Sequence, residues 1–199
     1  MRDSDIRKAV KAWLEQDYAD DPSTRIVEEM GIWNGSARVD IAVINGELHG
    51  IELKSAKDTL ERLQNQADLY NQVFDRVTLV ADRRHIEKAI SMIPQWWDVV
   101  CAVVDGDAIR LQHQRTGSSN PGLSKIQLAR LLWRAELIDA LDKHKLIRGY
   151  RSKSNEILAA RLAKELTLQE LTLEVRGALK SREMWLGQTI SDKTEMSVS

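Results

Sequence analysis

The sequence predicts a mixed α/β fold, in which a central mixed sheet begins with a strand meander and a C-terminal helical region follows. Three observations predict it. Segments 25–30, 37–44 and 48–54 each have strand-like patterning, and Asn45-Gly46, tolerant of positive φ, joins the last two as a hairpin. Directly afterwards Leu60, Leu63, Ala67, Tyr70 and Phe74 recur at spacings of three and four, the stripe of an amphipathic helix. From Ser124 onward the apolar period stays helical, with Ser124-x-x-Gln127 and Thr167-x-x-Glu170 both fitting the capping box.

The elements follow in order. Asp3 or Ser4 caps a first helix through Ile6, Val10 and Trp13, which stops in the polar cluster 17–23 with Pro22. The three meander strands and the Leu60-to-Phe74 helix come next. Val77-Thr-Leu-Val80 and residues 99–104 are short apolar runs of the buried-strand kind, separated by a short helix over 85–93 that Pro94 ends. Asp105-Gly-Asp107 turns the chain into a last strand over 108–111. Three helices are then expected: one with Ile126, Leu132, Leu137, Ile138 and Leu141, one with Ile157, Leu158 and Leu162, and one with Leu168, Leu171, Val175, Ala178 and Leu179.

Composition narrows the class. With 43% hydrophobic and 30% charged residues, a disordered, collagen-like or purely coiled-coil chain is disfavoured. No apolar run approaches the ~18 residues of a membrane span, and Met1-Arg-Asp-Ser-Asp-Ile-Arg-Lys8 is too polar for a signal peptide. A cytoplasmic protein with no membrane partner is expected. The single Cys101 excludes an internal disulfide and a zinc–thiolate cluster, and reads as a small buried hydrophobe. The net charge of -1 hides an asymmetry, because residues 1–115 carry 15 basic and 20 acidic side chains while 116–199 carry 14 and 10. A basic half beside an acidic half fits a polyanion partner for a carboxylate-bearing site.

The hairpin concentrates the chemistry. Strand alternation sends Val39, Ile41 and Val43 to one face and Arg38, Asp40 and Ala42 to the other. In the next strand Gly50, Glu52 and Lys54 share a face. Because a sheet face is continuous across a hairpin, Asp40, Glu52 and Lys54 come together. Two carboxylates and an ammonium on one face suit a divalent cation with oxygen ligands, and so phosphoryl chemistry.

Asp40, eleven intervening residues and Glu52-Leu53-Lys54, with a helix and a Glu-bearing strand before and a helix after, resemble the PD-(D/E)XK nuclease superfamily. The likeness covers roughly residues 1 to 110. It implies a restriction-endonuclease-like core of αβββαβ order. It also implies Mg²⁺ or Mn²⁺ on Asp40, Glu52 and the Leu53 carbonyl, with Lys54 acting on water, and cleavage that leaves a 5′-phosphate. An upstream glutamate, Glu28 or Glu29, is implied as well, and alternation lets only one face the site. Gln66-x-x-x-Tyr70 resembles the Gln-x-x-x-Tyr element of the RecB-like and exonuclease branches. Val39 stands where the family name has proline.

The expected organisation is therefore a nuclease-like core over 1–115, a helical region over 116–187 and a disordered tail over 188–199. The function expected is metal-dependent hydrolysis of DNA phosphodiesters. Its rival is a catalytically silent nucleic-acid-binding module on the same scaffold. Arg38, Ser55, Arg62 and Tyr70 are candidate nucleic-acid contacts beside the site. Lys143, Lys145, Arg148, Arg151 and Lys153, with Tyr150 interleaved and no acidic residue between them, form a second set suited to a phosphate backbone. The last two helices faintly resemble a helix-turn-helix with Val175-Arg176 at the reading position. Trp96-Trp97 has the chemistry to stack on bases, and packing is its alternative. DNA against RNA, endo against exo action, and a homodimer all stay open.

Overall fold

The computed structural model describes residues 1–35 and 37–182; the expected tail over 188–199 lies outside them. Helix α1 (Asp3–Asp17) leads into strands β1 (Arg25–Ile32), β2 (Ala37–Asn45) and β3 (Glu47–Lys54), with a 3₁₀ turn at Trp33–Gly35 between the first two. Helix α2 (Leu63–Tyr70), strand β4 (Arg76–Asp82), helix α3 (Arg83–Ile90) and strands β5 (Asp98–Asp105) and β6 (Ala108–Arg115) complete the sheet half. Helices α4 (Lys125–Ala129), α5 (Arg134–Lys143), α6 (Asn155–Glu165) and α7 (Leu168–Ser181) follow.

The fold class is the expected one. The six strands lie in sequence order, with β1, β2 and β3 antiparallel, β3, β4 and β5 parallel, and β6 antiparallel to β5. Gly46, at φ 58°, turns the β2–β3 hairpin in the left-handed region where glycine is unstrained. Both faces of the sheet are covered. Ile6, Val10 and Leu14 of α1 pack on Ile41, Val43, Ile51, Leu53, Val80 and Val100. On the other face, Val39, Ile44 and Leu48 join Tyr70, Phe74 and Trp97 in a cluster that also takes in Leu137, Leu158, Leu171 and Val175 from the helical half. The helices after residue 124 thus close the same core that the sheet opens.

Four local expectations are corrected. Val39 lies in the cluster on the α2 face, while Ile41 and Val43 lie under α1. Strand alternation is therefore interrupted at Asp40, for a reason given below. The helix expected from Ile126 to Leu141 is two helices, because the chain tightens at Leu131 and Leu132, and Trp133 is extended at ψ 164° before α5 begins. Glu136 accepts the Trp133 amide at 2.6 Å and restarts the helix there. Ser124 makes no side-chain cap, whereas Thr167 and Glu170 cap each other as expected, at 3.2 and 2.8 Å. The face of α7 offered for reading DNA is engaged in the fold. Val175 is 1% exposed, and Arg176 pairs with Asp75 at 2.7 Å and donates to the Gly46 carbonyl.

The sheet and helical halves are joined at Gly117, whose amide donates to Asp98 Oδ1 at 2.9 Å. A Cβ there would meet the Trp96 carbonyl oxygen at 2.2 Å, whereas one at Gly122 would meet nothing within 4 Å. Gly117→Ala is expected to lose ~1–3 kcal/mol or more by overpacking, and Gly122→Ala to stay within ~0.5 kcal/mol of the wild type. Denaturant unfolding of the two variants measures the contrast.

Candidate active site

The hairpin strands separate where the candidate ligands sit. Pairing of β2 with β3 runs from Asn45↔Glu47 to Ile41↔Ile51 and stops, one step short of the position where Asp40 would oppose Glu52. Pairing of β1 with β2 passes from Glu28↔Ile41 to Met30↔Val39, skipping Glu29 and Asp40, and Glu29 has φ 53°. A non-glycine residue held in the left-handed region is strained and needs its surroundings to keep it there. The split frees Asp40 from both ladders, and its Oδ2 accepts the Leu53 amide at 2.8 Å in place of a strand partner. This is why the side chains on either side of Asp40 change face.

Glu52 and Lys54 remain in regular β3, flanked by β4 through Glu52↔Leu79 and Lys54↔Ala81. Their side chains are buried, at 1% and 4% exposure. The Lys54 ammonium donates to Glu52 Oε1 at 2.5 Å and to Gln66 Oε1 at 3.0 Å. Gln66 Nε2 donates to the same Glu52 oxygen at 2.6 Å, and the Tyr70 hydroxyl lies 2.7 Å from Glu52 Oε2 and 2.8 Å from the Arg38 carbonyl. Gln66 and Tyr70 are one turn apart on α2 and meet one carboxylate together. A buried ion pair repays its desolvation only when further hydrogen bonds satisfy it, and here α2 supplies them. Burial first, and then the neighbouring Glu52 charge, push the Tyr70 phenol well above its ordinary range, so it stays protonated.

Arg7, from α1, governs the Asp40 side. Its guanidinium lies 3.2 Å from Asp40 Oδ1, 3.1 Å from Glu29, 3.2 Å from Asp3 and 3.6 Å from Glu28. Burial lowers the Arg7 pKa, but Asp40, Asp3 and Glu29 together raise it, so it remains a cation. Burial and then the Glu52 charge push Asp40 up from 3.8 to about 7, against the pull of the Leu53 amide, Arg7 and Lys54.

One cleft of ≈ 380 Å³ gathers most of the expected site. Asp40, Glu52, Leu53, Lys54, Gln66, Glu29, Arg38 and Arg62 all line it. Between the two upstream glutamates, Glu29 faces this cleft, while Glu28 bonds Lys11 at 2.5 Å and lines a separate pocket beside α1. Two expected nucleic-acid contacts are corrected. Ser55, 2% exposed, accepts the Lys57 amide on its hydroxyl, and Tyr70, at 0%, is a support for Glu52. Neither presents a surface to a phosphate. Trp97 is likewise buried, stacked on Tyr70 at 6.1 Å with its indole N–H on Asn71.

The second basic set occupies the α5–α6 connection, separate from the cleft. Lys143 pairs with Glu174 at 2.8 Å, Arg151 lies 3.9 Å from Asp142, and Lys145, Arg148 and Lys153 are exposed. Tyr150 sits under the Arg161 guanidinium, 5.0 Å from ring centroid to charge. Sequence reasoning missed Arg7, Asp3, Asp58 and Asn65, of which the last three line the cleft. The signal for Arg7 was its place on the inward side of α1, one residue past Ile6.

Among the described residues no three His, Cys, Asp or Glu side chains converge as a metal site. Among the carboxylates that line the cleft, Asp40 and Glu52 stand with the backbone of Leu53 between the two strands. That set fits a hard divalent cation such as Mg²⁺, which keeps several waters and takes one or two protein carboxylates. Burial and, after it, the Glu52 charge raise Asp40, and a bound cation would offset the second of these.

The Asp40 shift fixes a sign for stability. A carboxylate whose folded pKa is raised contributes stability that is fully present below about 4 and is lost as pH rises through about 7. His49, held down to about 4 by burial, opposes this below pH 6.5. The Asp40 contribution is therefore read as a difference between proteins. Relative to the wild type, Asp40→Ala is expected to gain stability progressively from pH 5 to pH 7.5 in metal-free buffer, by at most ~1.4 kcal/mol per pH unit. Urea unfolding at each pH measures it, and a pH-independent difference would contradict the shift.

The comparisons with known proteins follow from sequence more than from shape. A family model described as Bacteriophage P4 protein cII matches residues 1–194. Protein cII of Enterobacteria phage P4 is 25% identical over 182 residues, spanning 92% of this chain and 68% of that protein. Among solved structures, the SPO1766 protein of unknown function from Silicibacter pomeroyi aligns at TM-score 0.37 with 16% identity, over 66% of this chain and 84% of that one. SfsA of Pyrococcus furiosus, in complex with Ca²⁺, aligns at TM-score 0.33 with 12% identity, over 59% and 64%. With nearly its whole length matched by the family model, the chain belongs to the bacteriophage P4 protein cII family.

Proposed function

We infer that this chain is a divalent-metal-dependent nuclease of the PD-(D/E)XK type that hydrolyses DNA phosphodiesters. The observation that carries the reading is the convergence of Asp40, Glu52, Leu53 and Lys54 in one cleft, at the point where β2 and β3 part. Mg²⁺ or Mn²⁺ held by Asp40, Glu52 and the Leu53 carbonyl would supply Lewis acidity to the scissile phosphate and lower the pKa of bound water. Lys54 brings a positive charge to the attacking water and the developing phosphorane charge. Gln66 and Tyr70 fix the Glu52 carboxylate, and Arg7 fixes Asp40. Arg38 and Arg62, exposed at the cleft wall, meet the flanking phosphates.

A second reading, a silent nucleic-acid-binding module, draws on one observation. Both Glu52 oxygens and both Asp40 oxygens already have protein partners, the arrangement a scaffold without metal would also keep. Cation binding separates the two readings.

Glu52→Ala would remove both the counter-charge of buried Lys54, at a cost of ~3–5 kcal/mol, and the acceptor shared by Lys54, Gln66 and Tyr70, so the informative change is Glu52→Gln, which removes the charge but keeps an acceptor oxygen for them. Glu52→Gln and Asp40→Asn are expected to abolish calorimetric Mn²⁺ binding and plasmid cleavage while the thermal transition persists. Undiminished Mn²⁺ binding in both would refute the metal site.

Lys54→Met keeps the stem and removes the charge. It should bind Mn²⁺ at least as tightly as the wild type yet cleave ~10² times or more slowly in single turnover. Near wild-type cleavage would remove Lys54 from the chemistry.

A further inference from the structure

A second cleft of ≈ 520 Å³ adjoins the candidate active site, and the two share Glu29, Gly35 and Arg38 as a common wall. One side is the end of β1 and the 3₁₀ turn, with Ile32 and Trp33; the other is the break between α4 and α5, with Arg130, Leu131, Leu132, Trp133 and Arg134. Its lining brings four guanidiniums, those of Arg38, Arg130, Arg134 and Arg182, against one carboxylate, Glu29. Arg182 and Arg130 are paired with Glu136 and Glu156. Arg134 donates only to oxygens that carry no full charge, the carbonyls of Arg151 and Lys153 at 2.9 Å and Asn155 Oδ1 at 3.1 Å. Its charge is therefore uncompensated by a carboxylate among the described residues, and so is available to an anion. Arg38 lies 3.4 Å from Glu29 and leaves 66% of its side chain exposed.

The cleft also presents aromatic surface. Trp133 is 36% exposed although Arg182 lies over its ring at 4.2 Å. That stacking, together with the bidentate Arg182–Glu136 bonds at 2.7 and 2.6 Å, holds the indole in one orientation. Trp33 lies across from it in the same cleft. The Arg134 bonds to the Arg151 and Lys153 carbonyls place the exposed basic connection at the outer rim.

We propose that this cleft is a binding channel for single-stranded nucleic acid, carrying the strand that leaves the scissile phosphate past Arg38. The inference rests on the nuclease reading for its direction, since the shared wall joins the channel to Lys54 and Glu52. Single strands are the occupant the chemistry favours. Indoles offer stacking faces to unpaired bases, which a duplex keeps inside its stack, and guanidiniums track the phosphates between them. The volume is that of a small-ligand pocket, too small to enclose a duplex. Positive charge in the lining sets the sign of the partner, and the fixed Trp133 indole sets its form.

The test is done in EDTA, where neither metal binding nor cleavage contributes. Fluorescence anisotropy compares a labelled 20-nucleotide single strand with the same sequence as a blunt duplex, using the full-length chain. The wild type is expected to bind the single strand ~10-fold or more tightly than the duplex. Trp133→Ala should weaken single-strand binding by roughly 5-fold or more, the loss of one stacking contact, while Trp133→Phe retains most of it. Arg134→Gln keeps a polar group for the Arg151 and Lys153 carbonyls and should weaken binding and flatten its salt dependence by about one phosphate contact. Arg110→Gln, on the far strand β6, should change neither. Equal affinity for the two forms, or wild-type single-strand affinity in both Arg134→Gln and folded Trp133→Ala, would overturn the channel. Glu52→Gln distinguishes this outcome from failure of the nuclease reading, because it loses metal and cleavage while single-strand binding stays at the wild-type level.

Discussion

A carboxylate that is almost wholly out of water organises this molecule. Glu52 survives at 1% exposure because Lys54 supplies a counter-charge and Gln66 and Tyr70 supply hydrogen bonds. Each partner imposes a requirement. β3 must be interior to the sheet for its side chains to be buried, α2 must cross it with Gln66 and Tyr70 one turn apart, and Tyr70 must be braced by Phe74 and Trp97. The same apolar cluster that braces Tyr70 recruits Leu137, Leu158, Leu171 and Val175. The helical half is in this sense a distant support of one carboxyl group.

Asp40 is held by a different logic. It stands where two ladders fail, beside left-handed Glu29, and it is held by an amide and a guanidinium. The two carboxylates are thus placed by separate devices, one by burial in a regular strand and one by release from pairing. Bringing them close enough to repel costs the fold stability, and that cost is concentrated in the cleft.

Much of this was legible in the residues. Asn45-Gly46 set the hairpin, Glu52 and Lys54 shared a face by period two, and the stripe from Leu60 to Phe74 placed Gln66 and Tyr70 over them. What was not legible is tertiary. Alternation cannot foresee that β2 leaves β3 at Asp40, so it assigns Val39 to the α1 face, whereas the structure has it on the α2 face. Tyr70 and Ser55 carry groups suited to nucleic acid, and only packing shows that both are enclosed. The break before α5 has no proline, glycine or hydroxyl cap to announce it, only Glu136 reaching back to Trp133. Arg176 stands at the reading position of the expected helix-turn-helix, yet Asp75, a hundred and one residues earlier, claims it.

That last bond bears on how the chain is made. Arg176 meets Gly46 and Asp75, and Arg25 reaches the Arg182 carbonyl across 157 residues. The apolar side chains Val27, Ile44 and Leu48 are covered by the same cluster that holds Leu171, Val175 and Leu179. During synthesis the sheet therefore emerges long before its cover. Contacts of such sequence separation form late and slowly, so the nascent protein carries an open apolar sheet face until α7 arrives, and a ribosome stalled before residue 168 would release an aggregation-prone intermediate.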